Sequence, residues 1–204
     1  MAIDISEAKV QRNEFGMWLG WTLATAAGML VGFLSLLLFF DFLGLGIYRV
    51  LTPLWAGMLV GLFQWMVLRR YLTYTVDWIF TGVAAWSLAY ALGLMIIQIL
   101  SASLLGAVIA YSIFGVIIAA VQWPVLRREI PNVLPWVLAN IVGWALGAYL
   151  SPWALTLFTA GAPASQWLIS GVISAVTGLI AGGITGFALV WIVRKPENPL
   201  VLAD

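Results

Sequence analysis

Long apolar runs separated by short polar breaks set the pattern of this chain. Six stretches, roughly 16–40, 50–68, 78–100, 103–126, 134–158 and 167–193, hold almost only apolar and small residues, and the charged residues fall outside them or at their ends. A helix that crosses the hydrocarbon layer needs about 20 such residues. Each stretch therefore predicts one transmembrane helix.

The polar breaks are ordered as well. Arg69, Arg70, Arg127, Arg128, Arg194 and Lys195 follow the second, fourth and sixth runs, so six of the nine basic residues lie on one side. Lys9 and Arg12 join them if the N-terminus is on that side, leaving Arg49 alone opposite. The positive-inside rule then places both termini in the cytoplasm. The segment "MAIDISEAKVQRNEF" (residues 1–15) carries Asp4, Glu7 and Glu14 among its basic residues. The apolar run after it is too long for a cleaved secretory signal, so it reads as a retained helix. Residues 196–204 form a cytoplasmic tail.

A repeat runs through the pattern. "QWMVLRR" at 64–70 returns as "QWPVLRR" at 122–128, 58 residues later, and Trp78 and Trp86 return as Trp136 and Trp144 at the same step. Three two-helix units follow, about 16–70, 78–128 and 134–195. The third is degenerate: aligned on Arg194 and Lys195, Leu189 and Val190 stand where the others have Gln-Trp. Two-helix units keep their orientation, so they are parallel repeats about an axis along the membrane normal. The expected fold class is an all-α integral membrane protein, six transmembrane helices in three repeated hairpins, arranged as a pseudo-three-fold bundle. Three hairpins packed in a row are the alternative.

Residues spaced by three, four and seven share a helix face. Gly57, Gly61 and Gln64 line up in the second helix, Gly115, Ala119 and Gln122 in the fourth, and Gly178, Gly182 and Gly186 in the sixth. Small residues let helices approach closely in lipid, so both glutamines are expected on packed faces. Asn140 shares a face with Trp136, Trp144 and Gly147 well inside the fifth helix. Its counterparts are Gly82 and, if Trp18 starts the first unit, Thr22. The bland reading of these residues is interhelical hydrogen bonding, with Trp and Arg marking the interface. The functional reading takes Gln64, Gln122, Asn140, Trp86 and Trp144 as ligand-binding residues. Pro124 has no N–H to offer the carbonyl of Ala120, which predicts a kink there.

Composition narrows the function classes. Only 8% of residues are charged against 64% hydrophobic, where a soluble domain carries roughly a quarter charged. The net charge of +1 gives nucleic acid nothing to hold. Histidine and cysteine are both absent, which removes the common general base, thiol nucleophile and metal ligands. No catalytic or metal site is assigned, no cofactor is identified, and the chain reads as non-enzymatic. The leading expectation is binding or passive carriage of an apolar or weakly polar small molecule. The alternative is a structural or assembly subunit of a larger membrane complex. A pigment-binding protein, with tetrapyrroles held by Gln64, Gln122 or Asn140, comes last. The expected partners are the lipid bilayer, other membrane subunits or an apolar small molecule.

The Q-W-x-V-L-R-R helix ends, the W-x7-W starts and the glycine-rich helices resemble a class of bacterial polytopic membrane proteins of uncharacterised activity, built from such hairpins. The resemblance spans about Trp18 to Lys195. It implies the hairpin fold and a bacterial inner (plasma or internal) membrane location, and no activity.

Overall fold

The computed structural model describes residues 14–73, 75–99, 103–159 and 165–194; the side chains at 37–50, 94, 97, 98, 166 and 194 fall outside that description. Five helical elements account for it: α1 (Glu14–Leu68), α2 (Asp77–Ile99), α3 (Leu104–Leu126), α4 (Leu134–Thr159) and α5 (Gln166–Arg194). No strand occurs among the described residues. In lipid the backbone must satisfy its own polar groups, and a helix does so within one segment.

Local signals begin several of these helices. Ser103 caps α3, its hydroxyl accepting the Gly106 N–H at 3.0 Å. Asn132 accepts the Leu134 N–H ahead of α4, and Ser165 accepts the Leu168 N–H ahead of α5. Such side chains satisfy backbone donors that have no partner inside the helix. Pro124 lies in the last turn of α3, and the helix continues through it to Leu126.

Element α1 is not one rod. A straight helix would hold Gly28 and Val60 about 48 Å apart at 1.5 Å per residue. Instead a Cβ on Gly28 would lie 2.6 Å from the Val60 Cα, and one on Gly32 would lie 3.1 Å from the Ala56 Cα. These pairings are those of an antiparallel hairpin. Its arms are the two apolar stretches Glu14–Leu36 and Leu51–Leu68. With α2 to α5 they give six helical passes among the described residues.

Each element packs against its neighbours in sequence, and α5 packs back on α1. Among the described residues no other pair of elements approaches by its backbone. The helices therefore close into a ring rather than a row. Small residues sit at the contacts: Gly57 against Gly82, Gly115 against Asn140, Gly143 against Ala181 and Gly178 against Ala26. Lipid supplies no hydrophobic push between helices, so close backbone packing carries the association.

Five stretches of the described residues are long and apolar enough to cross a bilayer: the two arms of α1, α3, α4 and Trp167–Val193. The outward side chains include Phe80, Ile99, Leu157 and Phe187, each at least 67% exposed. A monomeric soluble protein rarely exposes so continuous an apolar surface. These are the features of a membrane protein.

Candidate functional site: a tryptophan-filled core

The ring is filled from within by aromatic side chains. Trp21, Trp78 and Trp136 meet edge to face, with centroids 5.7 Å (Trp21–Trp78), 5.6 Å (Trp21–Trp136) and 5.8 Å (Trp78–Trp136) apart. None is more than 2% exposed. The backbones of α1 and α4, and of α2 and α4, do not approach one another, so these rings reach across the middle of the bundle. Two turns further along α2 and α4, Trp86 and Trp144 form a second such cluster with Phe114 of α3, the centroids 5.0–5.4 Å apart. Met29 packs in the same group. Edge-to-face geometry places the positive ring edge on a negative face, which favours a fixed arrangement over a loose one.

A short polar chain threads the first cluster. The Trp78 Nε1–H donates to the Gln64 Oε1 at 3.0 Å. Gln64 Nε2 donates to the Thr25 Oγ1 at 3.0 Å, and the Thr25 hydroxyl donates to the Trp21 carbonyl at 2.9 Å. Trp21 Nε1–H in turn donates to the Thr185 Oγ1 at 3.0 Å, whose hydroxyl donates to the Ala181 carbonyl. Buried polar groups without partners are costly, and here both amide groups of Gln64 are matched by the protein itself.

The other expected site residues are placed as follows. Asn140 is 1% exposed; its Nδ2 donates to the Trp136 carbonyl and its Oδ1 accepts the Trp144 Nε1–H at 3.2 Å. Trp86 and Trp144 face each other in the second cluster. Gln122 is 2% exposed and points inward, but its Oε1 has no partner, and neither has the Trp136 Nε1–H. All five residues thus belong to one buried core.

Three members of that core escape a sequence reading aligned on the arginine pairs. Trp21, not Trp18, meets Trp78 and Trp136; the Trp18 Nε1–H goes to the Gly183 carbonyl. Thr25 is the partner of Gln64 in the first arm. Thr185, one turn before Leu189, occupies the place that takes a tryptophan N–H, while Leu189 is fully buried beside Leu68 and Leu126. A signal was present: Trp21 and Trp78 are 57 residues apart, one short of the repeat step.

Chemically, this core offers amides, hydroxyls and indoles, none of which titrates in an ordinary range. Among the described residues no three His, Cys, Asp or Glu side chains come together in a way that could hold a metal ion. A hollow of about 590 Å³ lies elsewhere, between the start of α1 and the end of α5, lined by Glu14, Phe15, Trp18, Phe187, Val190 and Trp191. Comparison of the chain with protein-family models, with curated proteins and with solved structures finds no match.

Proposed function

We propose that the chain is a non-enzymatic structural or assembly subunit of a membrane, with a fixed aromatic plug at its centre. The observation that carries this reading is that both ends of the Gln64 amide are held by the protein, its oxygen by Trp78 and its nitrogen by Thr25. The absence of histidine and cysteine from the sequence argues against chemistry at this core.

The plug is also the best support for three repeated hairpins around an axis along the membrane normal. Trp21, Trp78 and Trp136 would be equivalent, as would Gln64, Gln122 and Thr185. Leu68, Leu126 and Leu189, each 0% exposed, would form the matching apolar set. In this register Thr25 and Gly82 stand where the third hairpin has Asn140. The domain boundaries stay as the sequence gives them: a transmembrane domain over 16–195, flanked by a short segment at each end.

Both termini would be cytoplasmic, as the arginine pairs imply, and the resemblance implies a bacterial inner membrane. A cysteine at Ser165 is expected to react with an impermeant thiol reagent added to whole cells, and one at Asn132 is not. The reverse labelling pattern would invert the protein.

One observation favours the second reading, binding or carriage of an apolar or weakly polar molecule. Gln122 Oε1 and Trp136 Nε1–H are a buried acceptor and a buried donor without partners. Two substitutions separate the readings. Gln64→Leu breaks two hydrogen bonds and is expected to cost about 1–2 kcal/mol at most. Gln122→Leu removes a carbonyl that has no partner, and is expected to be neutral or mildly stabilising. Thermal melts in mild detergent measure both, and mass spectrometry of the native particle identifies what travels with it. Protein subunits that stay with the particle when Gln64→Leu and Gln122→Leu are combined support the structural role. A small molecule retained by the native protein and lost with Gln122→Leu would sink it in favour of the ligand site.

A further inference from the structure

The two arginine pairs at the helix ends divide their labour. In the first pair the Arg69 guanidinium lies over the half-buried Trp65 ring, 4.8 Å from its centroid. In the second pair Arg128 is bound to the Asp77 carboxylate. One arginine of each pair is thus spent on the protein. The remaining two, Arg70 and Arg127, are exposed and have no ion pair or side-chain hydrogen bond among the described residues.

These two arginines stand on loops that are tied together. The Thr73 N–H donates to the Glu129 Oε1 at 2.7 Å, and the Arg128–Asp77 pair joins the same two segments. Tyr71 and Leu72 of the first loop pack on the cluster that contains Val125, Leu126 and Ile130. Arg70 and Arg127 therefore belong to one surface at one end of the bundle. Trp65 and Trp123 lie just over one turn inside it, at the depth where indoles meet lipid headgroups.

We infer that Arg70 and Arg127 form a binding surface for the phosphates of anionic lipid headgroups. Guanidinium groups suit phosphate oxygens, which they can grip with paired N–H donors. The acidic side chains of this surface, Asp77 and Glu129, are engaged with Arg128 and with the Thr73 backbone, so they neutralise its outward charge less than their number suggests. The assignment rests on the membrane location, and is independent of which side the surface faces and of what the core does.

The test uses the full-length protein in mild detergent, titrated with short-chain phosphatidylglycerol or phosphatidylcholine and read by native mass spectrometry. Phosphatidylglycerol is expected to bind in preference, and each of Arg70→Gln and Arg127→Gln to weaken it about fivefold, the double change roughly twentyfold. Arg69→Gln is expected to leave that preference within about twofold, whereas Arg128→Gln, which frees the Asp77 carboxylate, is expected to lower both the preference and the melting temperature. Melting curves of all five variants, the double included, show that each is folded. Equal binding of the two lipids, or unchanged phosphatidylglycerol binding by the double variant, overturns the inference. So does full displacement of the lipid by an equal concentration of glycerol phosphate, which would make the surface a site for free phosphate.

Discussion

Trp78→Ala is expected to destabilise the folded protein by about 3–5 kcal/mol, the range for removing a large buried aromatic side chain. Trp78 is fully buried and contacts two other indoles, at 5.7 and 5.8 Å between centroids. Its removal leaves a void on the axis that no backbone is close enough to fill. The same change strands the Gln64 Oε1, which adds only about 1–2 kcal/mol in a membrane, where the unfolded helices find other partners. Packing therefore dominates. Two controls divide the effect. Trp78→Phe keeps most of the volume but loses the N–H and one ring, so it should cost clearly less than Trp78→Ala. Trp136→Ala opens a similar void but breaks no bond from its Nε1, which has no partner, so it should fall below Trp78→Ala by the small amount the lost Gln64 bond adds. Melting temperatures in detergent, with the recovery of monodisperse protein, measure all three. If Trp78→Ala melted like the unaltered protein, the plug would contribute nothing to stability.

Gly115→Ala is expected to do comparable damage through one added methyl group. A Cβ at that position would lie 2.5 Å from the Asn140 carbonyl oxygen and 2.7 Å from the carbonyl carbon. Both are backbone atoms of α4, so neither can swing away. The α3–α4 contact must open, which costs about 1–3 kcal/mol or more for overpacking of this kind. It would also disturb Asn140, which orients the Trp144 indole. Gly93→Ala is the matched control. A Cβ there meets nothing within 4 Å, and alanine is the better helix former by about 1 kcal/mol. That variant should be neutral or slightly stabilised. Equal melting curves for the two alanine variants would contradict the close α3–α4 approach.

The six helical passes were legible in the sequence because a bilayer demands long apolar runs, and five of the described stretches are long and apolar enough to cross one. The inward aim of Gln64 and Gln122 was legible too, since the glycines at 57, 61 and 115 mark the face on which they stand. The places of Thr185 and Leu189 were not. Arg194 and Lys195 answer to the membrane surface and can move along the helix by a turn without cost. Trp21, Thr185 and Leu189 answer to what they touch across the ring, and those contacts place Thr185 where the charge pattern puts Leu189. Charge marks depth coarsely, whereas packing marks it to the residue. The repeat step also hid Trp21, because Trp21 and Trp78 are 57 residues apart, one short of that step. Whether Asn140 is glue or ligand contact could not be read from its type. It becomes readable through its two partners, Trp136 and Trp144.

The seam between α1 and α5 joins the first helix to the last, and this has a consequence for biosynthesis. The Trp21 N–H is matched by a hydroxyl 164 residues away. At about 5–20 residues per second, a ribosome takes on the order of 10–30 s to deliver that partner after Trp21 has emerged. Throughout that interval the incomplete protein presents an open flank, with an indole N–H and the Thr22 and Thr25 faces of the first arm uncovered. Closure of the bundle thus waits on α5, and a nascent protein that lacked it would leave the first arm of α1 uncovered from Trp18 to Leu34.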